Sequence, residues 1–148
     1  MNDKMLIKEK IEFKAKLEQV WDLLTNPELT RQYMFGSEVI SNWKVGDDII
    51  WKGKTEEGKD IIYVKGKIAE IIPQQKLSFS MFDPNSGLAD KATNYVLLTY
   101  SLHTHQNITL FELEQGDFAT VENGKSRFEE AQQGWKMVLP LMKKVLGE

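Results

Sequence analysis

Cysteine is absent from all 148 residues. Its absence excludes disulfides, thiolate nucleophiles and cysteine-ligated zinc or iron–sulfur centres, and it fits a reducing cytoplasm. Long apolar runs are also missing. No stretch approaches the ~18 residues that read as a membrane-spanning helix. Met1-Asn2-Asp3-Lys4 lacks the apolar core of a secretory leader. We therefore expect a cytoplasmic protein without membrane insertion. An excess of basic charge is lacking too: 19 Lys and Arg stand against 22 Asp and Glu, a net charge of −3. Such a balance offers no footprint for nucleic acid or an anionic membrane. The tryptophans have no basic groove beside them and so make no stacking platform for single strands.

Catalytic signatures are equally scarce. There is no Gly-x-Ser-x-Gly elbow and no glycine-rich phosphate loop. Histidine occurs only as His103 and His105. In one strand both would face the same side, but zinc needs three or four ligands and no third is visible. We assign no metal, no cofactor and no catalytic residue. Glu70 shares strand parity with Gly66 and Ile68, so an inward carboxylate of raised pKa is one reading of it. A strand-end residue reaching water or a lysine is the other.

What is present is an ordinary globular composition, 41% hydrophobic and 28% charged. A chain this long buries roughly 70% of its unfolded surface, and one domain over residues 1–148 is expected. Met5, Ile7, Ile11 and Phe13 alternate with polar residues as a half-buried first strand. Leu17, Val20, Trp21 and Leu24 then follow helical spacing from near Lys16. Asn26-Pro27-Glu28 stops this helix and starts a second, short one ending near Gly36: Asn26 caps, Pro27 suits the first helical position, and Glu28 favours the positive end of the dipole.

Strands follow at Glu38–Ser41, Asp48–Lys54 and Asp60–Ile72, the last interrupted by Gly66, a bend or close-approach site. Leu77, Phe79 and Met81 alternate with serines. Asn94–Thr104 and Asn107–Glu114 form a hairpin around His105-Gln106, and Gly116–Gly124 is a connecting loop. From Ser126 to Leu146 the chain reads as one long amphipathic helix, with Phe128, Ala131, Trp135, Val138, Leu139, Met142, Val145 and Leu146 on a single stripe. Strands without intervening helices pair antiparallel. The fold class is therefore α+β, and the terminal helix must lie across the sheet to bury its stripe.

Clusters along nearly the whole chain resemble one known family. Val20-Trp21-Asp22-Leu23-Leu24-Thr25-Asn26-Pro27-Glu28 is similar to its first helix and following turn. Trp43-Lys44-Val45-Gly46, Ile49 and Trp51-Lys52-Gly53 resemble its second hairpin. Gly66-Lys67-Ile68-Ala69-Glu70-Ile71-Ile72-Pro73 and Lys76-Leu77-Ser78-Phe79-Ser80 resemble its long bent strand and partner. Gly134-Trp135, then Val138-Leu139, Leu141 and Leu146, resemble the start and body of its C-terminal helix. The chain is thus identified as a START-like, helix-grip protein akin to the C-terminal domain of the activator of Hsp90 ATPase. The resemblance implies a curved antiparallel sheet of six to seven strands gripping a long C-terminal helix, with two short helices after the first strand.

It further implies a cavity between sheet and helix for a hydrophobic small molecule, lipid-like or polyketide-like. Parity and helical spacing select Trp51, Phe79, Met81, Tyr100, Phe111, Trp135, Val138 and Met142 as its lining, with Tyr33 and Phe35 near its mouth. Tyr33–Phe35 and the Asp83–Thr93 loop would gate it. Plain core packing is the alternative for each of these side chains. Cyclase, aromatase or hydrolase chemistry in the same cavity is a second function, and would need two polar groups converging inside. A chaperone partner is a third. The family's co-chaperone activity belongs to a larger eukaryotic protein with an additional N-terminal domain, and we expect no such domain in a chain of 148 residues. A monomer or homodimer is expected.

Overall fold

Strand β1 (Ile7–Phe13) leads into helices α1 (Leu17–Thr25) and α2 (Pro27–Tyr33). Strands β2 (Glu38–Ser41), β3 (Asp48–Lys54), β4 (Asp60–Ile72), β5 (Lys76–Met81), β6 (Val96–His105) and β7 (Ile108–Gly116) follow, and helix α3 (Gly124–Val145) closes the chain. The computed structural model describes residues 3–148, so Met1 and Asn2 of the leader argument lie outside the described residues. All seven strands form one curved antiparallel sheet in the order β1-β7-β6-β5-β4-β3-β2. This is the α+β helix-grip arrangement expected from the sequence.

The α1–α2 junction forms for the reason its residues suggest. Asn26 accepts the Glu28 N–H at 3.0 Å, with Pro27 opening the helix. Thr30, fully buried, donates its hydroxyl to the carbonyl of Ser37 and accepts the N–H of Val39, which ties α2 to β2.

Two irregularities bend β4. A Cβ at Gly66 would overlap the carbonyl oxygen of Ser80, so only glycine lets β5 approach this closely. Two residues later the register slips: Ile68 pairs with Phe79, but Glu70 pairs with Ser78. The extra residue is a β-bulge, and it reverses the parity that would have turned Glu70 inward. Glu70 instead meets Lys76 at 3.0 Å on the exposed face.

Helix α3 begins two residues before the expected Ser126. Asn123 enters it in the left-handed conformation without a side-chain cap, and Gly124 fits because a Cβ there would strike the carbonyl of Phe118. Gly134-Trp135 therefore lies in the middle of the helix and not at its start. The C-terminal half of α3 packs at the β1 end of the sheet. Lys143 sits 5.9 Å over the Phe13 ring, and the Glu148 carboxylate accepts the N–H groups of Lys14 and Ala15 at 2.6 and 3.0 Å. The N-terminal half of α3 stands over a hollow.

Candidate ligand pocket

The hollow is a pocket of about 710 Å3 between α3 and the inner face of the sheet, within the ~300–1,000 Å3 usual for small-molecule sites. Each element contributes by its own periodicity. Strand β3 supplies Trp51, β5 supplies Met81, β6 supplies Val96, Leu98 and Tyr100, and β7 supplies Gln115. Helix α3 faces them with Arg127, Ala131, Gly134, Trp135 and Val138, one stripe at steps of one, three and four.

Among the residues that parity selects, Phe35, Trp51, Met81, Tyr100, Trp135 and Val138 line this pocket. Tyr33, Phe79, Phe111 and Met142 do not; they are buried in the core. All four face inward, yet parity fixes only the face of a sheet and not the position along it. Phe111 packs edge-on against Phe13, 6.4 Å between centroids, near the end covered by the second half of α3. Phe79 abuts Tyr100 edge-on at 5.9 Å. Tyr33 is anchored by its hydroxyl, which donates to the carbonyl of Leu23 at 2.8 Å.

Tyr100 is the junction between core and pocket. Its ring packs against the core residues Phe79 and Phe111 and also against Trp135 of the pocket lining, the last at 6.3 Å and nearly perpendicular. Trp135 also donates its indole N–H to Gln115 Oε1 at 2.8 Å, and Gln115 Nε2 donates to Met81 Sδ at 3.1 Å. This chain of contacts links α3, β7 and β5 across the inner end of the pocket. Burial pushes the Tyr100 phenol above its ordinary pKa, and does the same to Tyr33 with a further push from Tyr100. Both phenols are neutral at physiological pH.

The rim is polar. Arg127 donates to the carbonyl of Asn94 at 2.8 Å and to that of Glu122 at 3.4 Å. Burial pulls its pKa down, and nearby Asp83 opposes that shift. Phe35, 62% exposed and in the left-handed conformation, stands at the mouth beside Met34. The loop from Asp83 to Thr93 contributes Asp83, Ser86 and Leu88 to the lining. It is pinned to the sheet: Asn85 Nδ2 donates to the Ile62 carbonyl at 2.8 Å, and Asp90 accepts the Tyr95 hydroxyl at 2.6 Å and pairs with Lys65.

Sequence reasoning passed over Gln115, although it continues the inward parity of Phe111 and Leu113. A glutamine at a core-facing strand position is the signal that could have found it. Phe82, in an isolated bridge to Lys65 just past β5, and Phe118, at the start of a single 3-10 turn, are also in the lining, and neither belongs to an element long enough for periodicity to mark it. His103 and His105 are exposed at the end of β6. Among the described residues, no group of three His, Asp or Glu is placed to hold a metal ion, and no helix is long and apolar enough to cross a membrane.

A family model described as Activator of Hsp90 ATPase homolog 1-like protein matches residues 14–147. The solution structure of ChR145 from Cytophaga hutchinsonii is similar at 33% identity and a TM-score of 0.78, over 99% of this chain and 97% of that one. PFC0360w, an HSP90 activator from Plasmodium falciparum, is similar at 17% identity and a TM-score of 0.73, over 97% and 96%. CalU16 from Micromonospora echinospora is similar at 19% identity and a TM-score of 0.70, over 95% and 74%. These last two likenesses are of fold alone. No curated protein matches the chain.

Proposed function

This chain belongs to the Activator of Hsp90 ATPase homolog 1-like protein family, and on that footing we propose that it is a single-domain cytoplasmic binding protein for a hydrophobic small molecule. The observation that carries this reading is the pocket of about 710 Å3 beneath the first half of α3, walled by Trp51, Met81, Leu98, Trp135 and Val138. Helix α3 is held there as a roof by the bond from Trp135 to Gln115. The absence of cysteine supports the cytoplasmic setting.

The groups that converge inside, Tyr100 and Gln115, are neutral hydrogen-bonding side chains, while Asp83, Arg127 and Glu130 line the pocket from the loop and the first turns of α3. Binding of an apolar body suits this arrangement better than acid–base chemistry, which places an ionisable group at the reacting atom.

Titration with the uncharged fluorescent probe N-phenyl-1-naphthylamine tests the reading. Saturable one-to-one binding is expected in the wild type. Gly134→Phe, which adds a ring at the helix surface facing the pocket, should abolish it. Equal binding by both proteins would overturn the reading.

Hsp90 activation is the second reading, favoured by the family description and by the likeness to the Plasmodium falciparum activator. An ATPase assay with an Hsp90-type chaperone tests it, and an unchanged ATPase rate would remove it.

A further inference from the structure

Resting on the reading of the pocket as a small-molecule site, we propose that its ligand carries a neutral carbonyl-type oxygen, received at the inner end of the pocket by the Tyr100 hydroxyl.

Tyr100 is only 2% exposed, and it lines the pocket. Its buried neighbour Tyr33 gives its hydroxyl hydrogen to a backbone carbonyl. The Tyr100 hydroxyl bonds to no group of the described residues. Yet no side-chain oxygen or nitrogen among them is both without a partner and wholly sealed from solvent. Tyr100 Oη therefore keeps a small accessible surface, and the pocket is the space that the residue lines. A hydroxyl this deep that protein groups leave unpaired is poised for a ligand atom.

The neighbouring groups decide what that atom is. Trp135 Nε1 can only donate, so the Gln115 atom facing it is the oxygen, and that acceptor is occupied. Gln115 Nε2 directs one hydrogen to Met81 and retains a second; the residue is 4% exposed in the same lining. Trp51, equally buried and also in the lining, finds no acceptor for its indole N–H among the described residues. The interior thus offers donors whose natural complement is an acceptor. A carboxylate fits poorly there, because the one Lys or Arg of the lining, Arg127, is engaged by the carbonyls of Asn94 and Glu122. A ketone or quinone oxygen on an apolar, ring-containing body satisfies both the donors and the aromatic walls.

The test compares a naphthyl ketone, propionylnaphthalene, with its hydrocarbon counterpart, propylnaphthalene, on the wild type and on Tyr100→Phe. No protein group loses a partner in this variant, so its melting temperature should not fall. The ketone-to-hydrocarbon affinity ratio should drop by about threefold to tenfold in Tyr100→Phe, while hydrocarbon affinity stays within about twofold. The carbonyl stretch of the bound ketone should lie at lower frequency in the wild type and rise in the variant. The wild-type infrared spectrum alone keeps the proposal testable if the variant does not fold. A carbonyl stretch like that in hydrocarbon solvent, or an unchanged affinity ratio, overturns the inference and leaves the pocket reading standing, because the hydrocarbon still binds. Failure of both probes to bind the wild type would overturn the pocket reading, and this inference with it.

Discussion

Trp135 donates its indole N–H to Gln115 Oε1 at 2.8 Å, joining the middle of α3 to the penultimate residue of β7. Both residues are buried, and both line the pocket. This bond fixes the roof to the sheet at the point where packed core gives way to open space. Trp135→Phe keeps a ring against Tyr100 but removes the donor, and should cost about 1–3 kcal/mol of stability in urea denaturation. Trp135→Ala removes the ring as well, should cost about 3–5 kcal/mol, and should enlarge the pocket and weaken ligand retention. Equal stability of Trp135→Phe and wild type would show that the bond contributes nothing.

The two buried tyrosines should respond oppositely to loss of the hydroxyl. Tyr33→Phe strands the Leu23 carbonyl that its hydroxyl now satisfies, at about 1–3 kcal/mol. Tyr100→Phe strands nothing and should be neutral or slightly stabilising. Thermal melts of the pair check this, and a matching loss in both would remove the distinction.

Glycine plays different parts at two positions. At Gly66 a Cβ would collide with the Ser80 backbone, so Gly66→Ala should fall at the upper end of the ~0.5–3 kcal/mol range of single substitutions. At Gly134, inside α3, a Cβ meets nothing within 4 Å. Gly134→Ala should therefore stabilise the helix by about 1 kcal/mol while narrowing the pocket and weakening probe binding. Gain of stability with unchanged binding would mean that Gly134 does not shape the site.

Acid should weaken the fold partly through Asp117. Its carboxylate accepts the N–H groups of Met5 and Ala119 at 2.9 and 2.8 Å, and these bonds, that from Met5 first, hold its pKa below the ordinary value. A depressed folded pKa gives stability that is complete above the unfolded value of about 3.9 and lost as pH falls through the folded one. Asp117→Asn should flatten the stability profile below about pH 4. Urea titrations across that range measure it, and a profile parallel to wild type would contradict the assignment.

The fold was legible because periodicity and caps agreed. Asn26-Pro27 divides α1 from α2 as its chemistry dictates, Gly66 marks the closest approach of β5 to β4, and the stripe of α3 names the face that meets the sheet. The site was legible only in part. Alternation places Phe79, Phe111 and Tyr100 on the same face, but nothing in it says that the second half of α3 fills one end of the sheet and leaves the other hollow. The bulge between Ile68 and Glu70 likewise has no signature in residue type, so the parity of Glu70 misleads. The start of α3 has no cap signal in the sequence, because Asn123 enters it without a side-chain hydrogen bond.

The central claim is that an apolar molecule occupies the space between the sheet and α3. A nitrogen–proton NMR titration with propylnaphthalene addresses it most directly, since the Trp135 indole and the Gln115 side-chain amide are reporters inside the lining. Saturable shifts concentrated on these signals and on Trp51 are predicted. Signals that stay fixed up to the solubility limit of the probe, or shifts scattered over the outer face of the sheet, would contradict it.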